Sequence, residues 1–428
     1  MKVIKFPSRS DWAKILARPT PTFETIEPLV DEVFDKVKSQ GDSAVRDYTA
    51  QFDGLNLNSF QVTQAEIDAA SSFVDSELKK AIQVAYDNIS QFHQAQKTAP
   101  VSVETRPGVQ CWQEKRPIQK VGLYIPGGTA PLFSTVLMLA IPAKIAGCKE
   151  IVLCSPPNNK GEIASEILWT AQLCGVNRIF KVGGIQAIAA MTFGTQTIPN
   201  VYKILGPGNQ FVTVAKQKAT QFSVAIDMPA GPSELLVVAD DSAVASYVAS
   251  DLLSQAEHGA DSQVILVTTS QTLLLEVQSE IQKQLSLLSR SEIASKAMLN
   301  SKLILVENEN EALELIDEYG PEHYIICMNN EKKFVDSIQN AGSVFIGNYT
   351  PESAGDYASG TNHTLPTNGY AKQYSGVNLD SFTKAITFQK ISKNGILQLG
   401  KTIELMAAAE GLDAHKNAVS IRLNDLNK

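Results

Sequence analysis

The sequence predicts an α/β fold of two doubly wound units in tandem, with helical segments at the N- and C-terminal ends. Three observations predict it. From residue 120, short and fully apolar runs alternate with longer helical windows, as in parallel βαβ units whose strands are buried on both faces. The same rhythm restarts after Ala260. Before residue 100 and after about 378, apolar residues recur three and four apart, which is the helical period.

In order along the chain, "IEPLVDEVFDKVKSQG" is a helix closed by a glycine, and "AEIDAASSFVDSELKKAIQVAYDNISQFHQAQ" continues the pattern. The first unit runs through "KVGLYIPGG", the helix of 130–147, "EIVLCSPP", "GEIASEILWTAQLCG", "IFKVGG", "IQAIAAMTFG", "VYKILGPGN", "QFVTVAKQKA" and "ELLVVAD". The second alternates "SQVILVTT", "QTLLLEVQSEIQKQLSLL", "KLILVE", "NEALELIDEYG", "HYIICM", "KKFVDSIQNAG" and "SVFIGN". A helical tail, "GILQLGKTIELMAAAEGLDAHKNAVSIRLN", ends the chain. The units share rhythm without a residue-level repeat, and no low-complexity linker separates them.

Composition narrows the class. The 428 residues are 44% hydrophobic and 19% charged, the balance of a folded protein with a large core. A net charge of −8 without a long basic run argues against nucleic acid as a partner. The cysteines at 111, 148, 154, 174 and 327 show no CxxC spacing and lie in apolar surroundings, so they read as reduced core thiols. The opening "MKVIKFPSRSDWAKIL" has no apolar h-region. The apolar window 130–147 is broken by Ser134, Thr135, Pro142 and Lys144, so it reads as a buried helix and not a membrane span. A soluble, cytoplasmic protein with no membrane partner is expected.

Ligands of open α/β sheets bind beyond the carboxyl ends of strands. The loops predicted there are "PGG" (126–128), "VGGIQ" (182–186), "GPGNQ" (206–210) and "MPAGPSE" (228–234). Their glycines allow backbone amides to approach a phosphate. None completes the G-x-G-x-x-G fingerprint, because "GPGNQF" has Phe211 where the third glycine belongs. Ordinary tight turns account for the same residues.

The five histidines say more. In "SQAEHGADS", Gln255 and His258 share a helix face, as ligands must; a helix-terminal histidine facing the dipole fits too. "GPEHYI" sets Glu322 beside His323 at the mouth of a strand, where carboxylate and imidazole can share acid–base work. The segment "SAGDYASGTNHTLPTNGY" (353–370) has neither period, so it reads as a long loop; it carries Asp356 and His363. His415 follows Glu410 in the tail, where the pattern alone reads as a solvated helix end, and His93 reads as a surface residue. Imidazole with carboxylate and amide oxygen suits a catalytic divalent ion such as zinc.

"VGLYIPGGTAPLFSTVLML", "DMPAGPSELLVVAD", "LLSQAEHGADSQVILV", "GPEHYI", "SAGDYASGTNHTLPT" and "EGLDAHKNAVSIRL" together resemble the motifs of histidinol dehydrogenases, in that family's order and across nearly the whole chain. The resemblance implies a zinc-dependent homodimer with shared active sites, built on two incomplete Rossmann-like units. It implies oxidation of L-histidinol to L-histidine through L-histidinaldehyde, with two NAD+ consumed and one zinc per subunit. The implied domains are an arm (1–20), a metal and catalytic unit (21–122 with 232–377), an NAD-binding unit (123–231) and a tail (378–428) reaching the partner's site. By motif position, Gln255, His258, Asp356 and His415 would be zinc ligands, and Glu322 and His323 the acid–base pair. Ser233, Glu410 and His363 would join the ligands and His323 in binding substrate, and Tyr124, Gln186 and Asn209 would contact NAD. A zinc hydrolase using bound water as nucleophile and a non-catalytic metal- or nucleotide-binding protein are the other classes. Retention of both Glu322 and His323 argues against the second.

Overall fold

The strands of the computed structural model are, in chain order, β1 (Lys2–Lys5), β2 (Val101–Arg106), β3 (Val109–Pro117), β4 (Lys120–Tyr124), β5 (Glu150–Ser155), β6 (Arg178–Lys181) and β7 (Lys203–Leu205). They continue with β8 (Ala225–Ile226), β9 (Glu234–Ala239), β10 (Gln263–Thr268), β11 (Lys302–Leu305), β12 (His323–Cys327), β13 (Ser343–Ile346) and β14 (Thr383–Ile391). The structure describes residues 1–19, 25–127, 131–229 and 231–427. Thr20 of the arm, Gly128 of the "PGG" loop, Ala230 of "MPAGPSE" and Ala130 at the start of the 130–147 window therefore lie outside the described residues.

Two parallel sheets carry the first compact unit, residues 1–96 and 118–382. One is ordered β6-β5-β4-β7-β8 and the other β11-β10-β9-β12-β13, with β1 added beside β11. Counted from the first strand of each, both read 3-2-1-4-5. That is the dinucleotide-binding order without its sixth strand, so both sheets are incomplete Rossmann-like units.

Burial explains the apolar runs. Every residue of β9 and β10 is buried. Leu235, Val237, Val264 and Leu266 face one core and Leu236, Val238, Ile265 and Val267 the other, the period of two that a strand covered on both faces requires. Each such side chain contributes about 1.5–3 kcal/mol by leaving water. The helices Ala245–Ala256, Gln271–Leu285 and Ser291–Asn300 cover the first face. The second is covered by Glu309–Tyr319 together with Trp12 and Leu16.

The N-terminal segments pack differently from the sequence grouping. Residues 21–122 are expected in the unit of 232–377, but the helices Glu27–Gln40 and Ser76–Ala95 share their cores with the five-stranded sheet. The arm, expected to be helical, opens as strand β1, which pairs with the otherwise open edge of β11. His93 is fully buried, not a surface residue, with Nδ1 3.0 Å from Gln96 Oε1 and Nε2 3.3 Å from Asn362 Nδ2.

The second unit, residues 97–117 and 383–428, is an antiparallel sheet β14-β3-β2 followed by the helices Lys393–Ala409 and Asp413–Leu426. The tail expected to be helical from 378 thus includes a strand. β14 is rich in β-branched and aromatic residues, and its Phe388 stands opposite Trp112 with the rings stacked at 5.2 Å. Helix Phe133–Ala146 has Pro142 inside it, and no described helix is long and apolar enough to cross a membrane. All five cysteines are free.

Candidate active site and metal centre

A cavity of about 340 Å³ opens between the two sheets of the first unit. Tyr124 at the end of β4, Gly206 and Gly208 after β7 and Met228 after β8 come from the carboxyl edge of the five-stranded sheet. Ser233 before β9, His258 before β10 and Glu322 and His323 at the start of β12 come from the amino edge of the six-stranded sheet. Only one wall therefore follows the carboxyl-end rule.

Glu322 and His323 are both buried. The helix Glu309–Tyr319 stops at Gly320, whose left-handed conformation (φ 61°) turns the chain into β12. The Glu322 carboxylate accepts the main-chain N–H of Glu234 at 2.9 Å. His323 Nδ1 lies 3.3 Å from the Glu234 carbonyl oxygen, 3.6 Å from Glu322 Oε2 and 3.7 Å from Glu352 Oε1. A carbonyl only accepts, so a neutral His323 carries its proton on Nδ1 and presents Nε2 as the base. Nε2 is buried without a hydrogen-bond partner among the described residues, 3.7 Å from Asp356 Oδ1. Burial disfavours the imidazolium, but Glu352, Glu322 and Asp356 outweigh it and hold His323 well above its usual pKa; a cation on those carboxylates would offset their pull and free Nε2 to act as a base.

His258, Glu352 and Asp356 each offer a ligand atom, all within 4.8 Å of one another. Gln255 lies in the last turn of the helix Ala245–Ala256 and lines the same cavity; with its amide turned so that nitrogen faces the Glu352 carboxylate, it would donate there and leave its oxygen uncommitted to that residue. Burial pushes the Glu352 carboxyl well above its usual range; His323 opposes this and Asp356 and Glu322 add to it. Crowded acids beside an imidazole are a donor set that a divalent cation relieves. Asp356 also experiences burial that favours its neutral form, yet His323, His363 and His258 hold its carboxyl below the ordinary value. His363 is kept largely neutral by burial, against the pull of Asp356. Its Nδ1 donates to the Asp356 carbonyl at 2.8 Å and its Nε2 meets Thr135 Oγ1 at 3.2 Å.

Sequence reasoning missed Glu352 and read 353–370 as loop throughout. Residues Glu352–Tyr357 are a short helix. Glu352 and Asp356 stand four apart on it, a helical spacing that the sequence itself carries.

A second cleft of about 540 Å³ is lined by Tyr124, Gly184, Gln186, Asn209, Phe211 and Asp53, which brings the three expected NAD contacts together. The Tyr124 hydroxyl accepts the Gly184 N–H at 3.1 Å, Gln186 donates to Asp53 at 3.4 Å, and Asn209 caps the helix Gln210–Thr220 through Val212 N at 3.1 Å. In the wall of the first cavity, Gly206 is pinned at both polar groups: Asp227 accepts its N–H at 2.7 Å and Lys216 donates to its carbonyl at 2.8 Å. Lys216 and Asp227, an ion pair in themselves, carried no sequence signal. At φ 130°, a Cβ on Gly206 would run into the Tyr124 carbonyl oxygen. Gly206→Ala should therefore destabilise the protein by about 1–3 kcal/mol and raise the KM for dinucleotide. A urea midpoint and KM both equal to wild type would refute this.

Glu410 and His415 belong to the second unit, at the end of helix Lys393–Ala409 and in the first turn of Asp413–Leu426, where both are exposed. The structure thus gathers Ser233, Gln255, His258, Glu322, His323, Asp356 and His363 in one cavity and leaves these two on their own unit.

A buried Glu–His pair beside a group of residues able to hold a cation, next to a cleft on a Rossmann-like sheet, is the arrangement expected of a dinucleotide-dependent oxidoreductase. The family model for histidinol dehydrogenase matches residues 16–423. Histidinol dehydrogenase of Bacteroides thetaiotaomicron is 58% identical over 426 residues, covering 100% of both chains. That of Escherichia coli (strain K12) is 54% identical over 418 residues, 97% of this chain and 95% of that one. The crystal structure of histidinol dehydrogenase from Elizabethkingia anophelis superposes with a TM-score of 0.98 at 54% identity, covering 100% and 99% of the two chains. The chain belongs to the histidinol dehydrogenase family, which are NAD-dependent oxidoreductases.

Proposed function

We propose that the protein oxidises L-histidinol to L-histidine through L-histidinaldehyde, passing one hydride to each of two NAD+, as the last steps of histidine biosynthesis. One observation carries the reading: the buried Glu322–His323 pair lies beside the His258–Glu352–Asp356 group, with His323 3.7 Å from both of its carboxylates, at the wall of one cavity. The donors fit one zinc per subunit, because nitrogen and oxygen ligands gather there and two carboxyls are crowded beside them. Gln255, His258 and Asp356 would hold it with His415 of the partner subunit. When bound, zinc would supply a charged template for the substrate's imidazole and amino group.

In the first half-reaction, His323 Nε2 takes the hydroxyl proton as hydride leaves carbon for the nicotinamide. The aldehyde must then add water, since hydride leaves only from a tetrahedral carbon: the Glu322 carboxylate takes a proton of that water while His323 returns its own proton to the carbonyl oxygen. In the second half-reaction His323, neutral again, accepts a hydroxyl proton of the hydrate as the hydrate gives its hydride to the second NAD+. Ser233, His363 and Glu410 of the partner subunit would hold the substrate; Tyr124, Gln186 and Asn209 would contact NAD. Glu352, by taking the Gln255 amide nitrogen, sets which end of that amide faces a cation. The assembly is a homodimer with shared sites, and its unpaired cysteines fit a reducing cytoplasm.

Two NADH formed per histidinol consumed tests the overall reaction. The division of labour is tested separately. Glu322→Gln should slow aldehyde oxidation far more than alcohol oxidation, while His323→Ala should impair both by roughly 10²–10⁴-fold. Equal damage to both halves by Glu322→Gln would contradict it. A zinc hydrolase would show no histidinol-dependent NADH at all.

A further inference from the structure

Glu234, the first residue of β9, holds both members of the acid–base pair through its main chain. Its N–H donates to the Glu322 carboxylate at 2.9 Å and its carbonyl oxygen faces His323 Nδ1 at 3.3 Å. Its side chain is buried, with 2% of its surface exposed, and is gripped by a residue distant in sequence: Arg18 Nε donates to Glu234 Oε2 at 2.5 Å. The Gly369 N–H, at the end of the loop that carries His363, donates to Oε1 at 3.3 Å.

Arg18 makes a second attachment. Another of its guanidinium nitrogens donates to the Tyr319 carbonyl at 2.7 Å and approaches the Gly320 carbonyl at 3.4 Å, and the guanidinium stacks 3.9 Å above the Tyr319 ring. Those carbonyls end the helix that leads through Pro321 into Glu322. Arg18 therefore ties the segment that carries Glu322 and His323 to the residue that holds them.

We propose that the Arg18–Glu234 ion pair positions the acid–base pair, fixing the Glu322 carboxylate and the His323 tautomer for the reaction proposed above, on which this inference rests. Stability alone does not call for such a pair, since well-packed apolar residues of similar volume often serve as well or better. A single positive charge would not suffice either: only the planar fork of arginine reaches the carboxylate and the helix-end carbonyls together.

The test compares Arg18→Lys and Arg18→Met with wild type by steady-state kinetics, zinc content and urea unfolding, and repeats Arg18→Met in a Glu322→Gln/His323→Ala background. Misplacing reacting groups by about 1 Å can cost roughly 10²-fold, so Arg18→Met should lose about that much kcat, and Arg18→Lys a smaller share of it. KM for histidinol and for NAD and the zinc content should hold, because the loss falls on the transition state alone. In the double-variant background the same change should cost almost nothing further, since a positioning residue acts through the groups it aligns. A folded Arg18→Met enzyme with wild-type kcat would overturn the proposal. So would a loss that persists undiminished without Glu322 and His323, or one that falls on KM. If Arg18→Met does not fold, Arg18→Lys carries the same comparisons. Histidinol-dependent NADH from wild type, in the same assay, separately tests the underlying reaction.

Discussion

Replacing His258 by alanine should remove the metal and lower kcat by on the order of 10³-fold, because a bound cation's charge stabilisation is worth several kcal/mol. His258 supplies the imidazole of the group it forms with Glu352 and Asp356, whose ligand atoms lie within 4.8 Å of its own. Without it the proposed set keeps one imidazole, His415 of the partner subunit, beside the oxygen donors of Gln255 and Asp356. With one nitrogen ligand fewer the site holds zinc less tightly, so added zinc should rescue the variant poorly. The wild-type enzyme, stripped by a chelator, should lose activity and regain it with zinc. Elemental analysis beside the NADH assay decides the matter: a His258→Ala enzyme that carries stoichiometric zinc and turns over at the wild-type rate would sink the assignment.

The parts of this site that could be read from the chain are those encoded by neighbours in sequence. Glu322 and His323 are adjacent and follow a Gly-Pro helix stop, and Gln255 lies in the last turn of a helix with His258 two residues beyond its end. The parallel strands were legible because burial on both faces demands unbroken apolar runs, as in β9 and β10. β1 was not, because four residues take their structure from the edge of β11 and not from a pattern of their own. β14 was hidden by the longer helical signal that follows it. Lys216–Asp227 and Arg18–Glu234 lie outside any local pattern; the second pair is 216 residues apart and meets only through sheet register and helix packing. Likewise His93 has helical neighbours that read as surface, and its burial comes from Asn362, far along the chain.

The proposal that the tail of one chain completes the site of the other predicts complementation between two dead enzymes. His258→Ala removes a proposed ligand on the first unit, and His415→Ala a proposed ligand on the second. Each variant alone should be nearly inactive, since every site in its dimer carries one lesion. Unfolding the two, mixing them equally and refolding them should give roughly half mixed dimers if pairing is random and symmetric. In a mixed dimer with shared sites, one site carries both lesions and the other neither. Activity should therefore return to roughly one quarter of wild type from that symmetric pairing. A tail that serves its own chain instead would leave one lesion in every site, and mixing would restore nothing. Refolding each variant alone provides the baseline and should recover no activity under either arrangement. Native mass measurement then separates the outcomes, because a mixture shown to contain mixed dimers yet lacking activity would exclude the shared site itself and not merely report failed assembly.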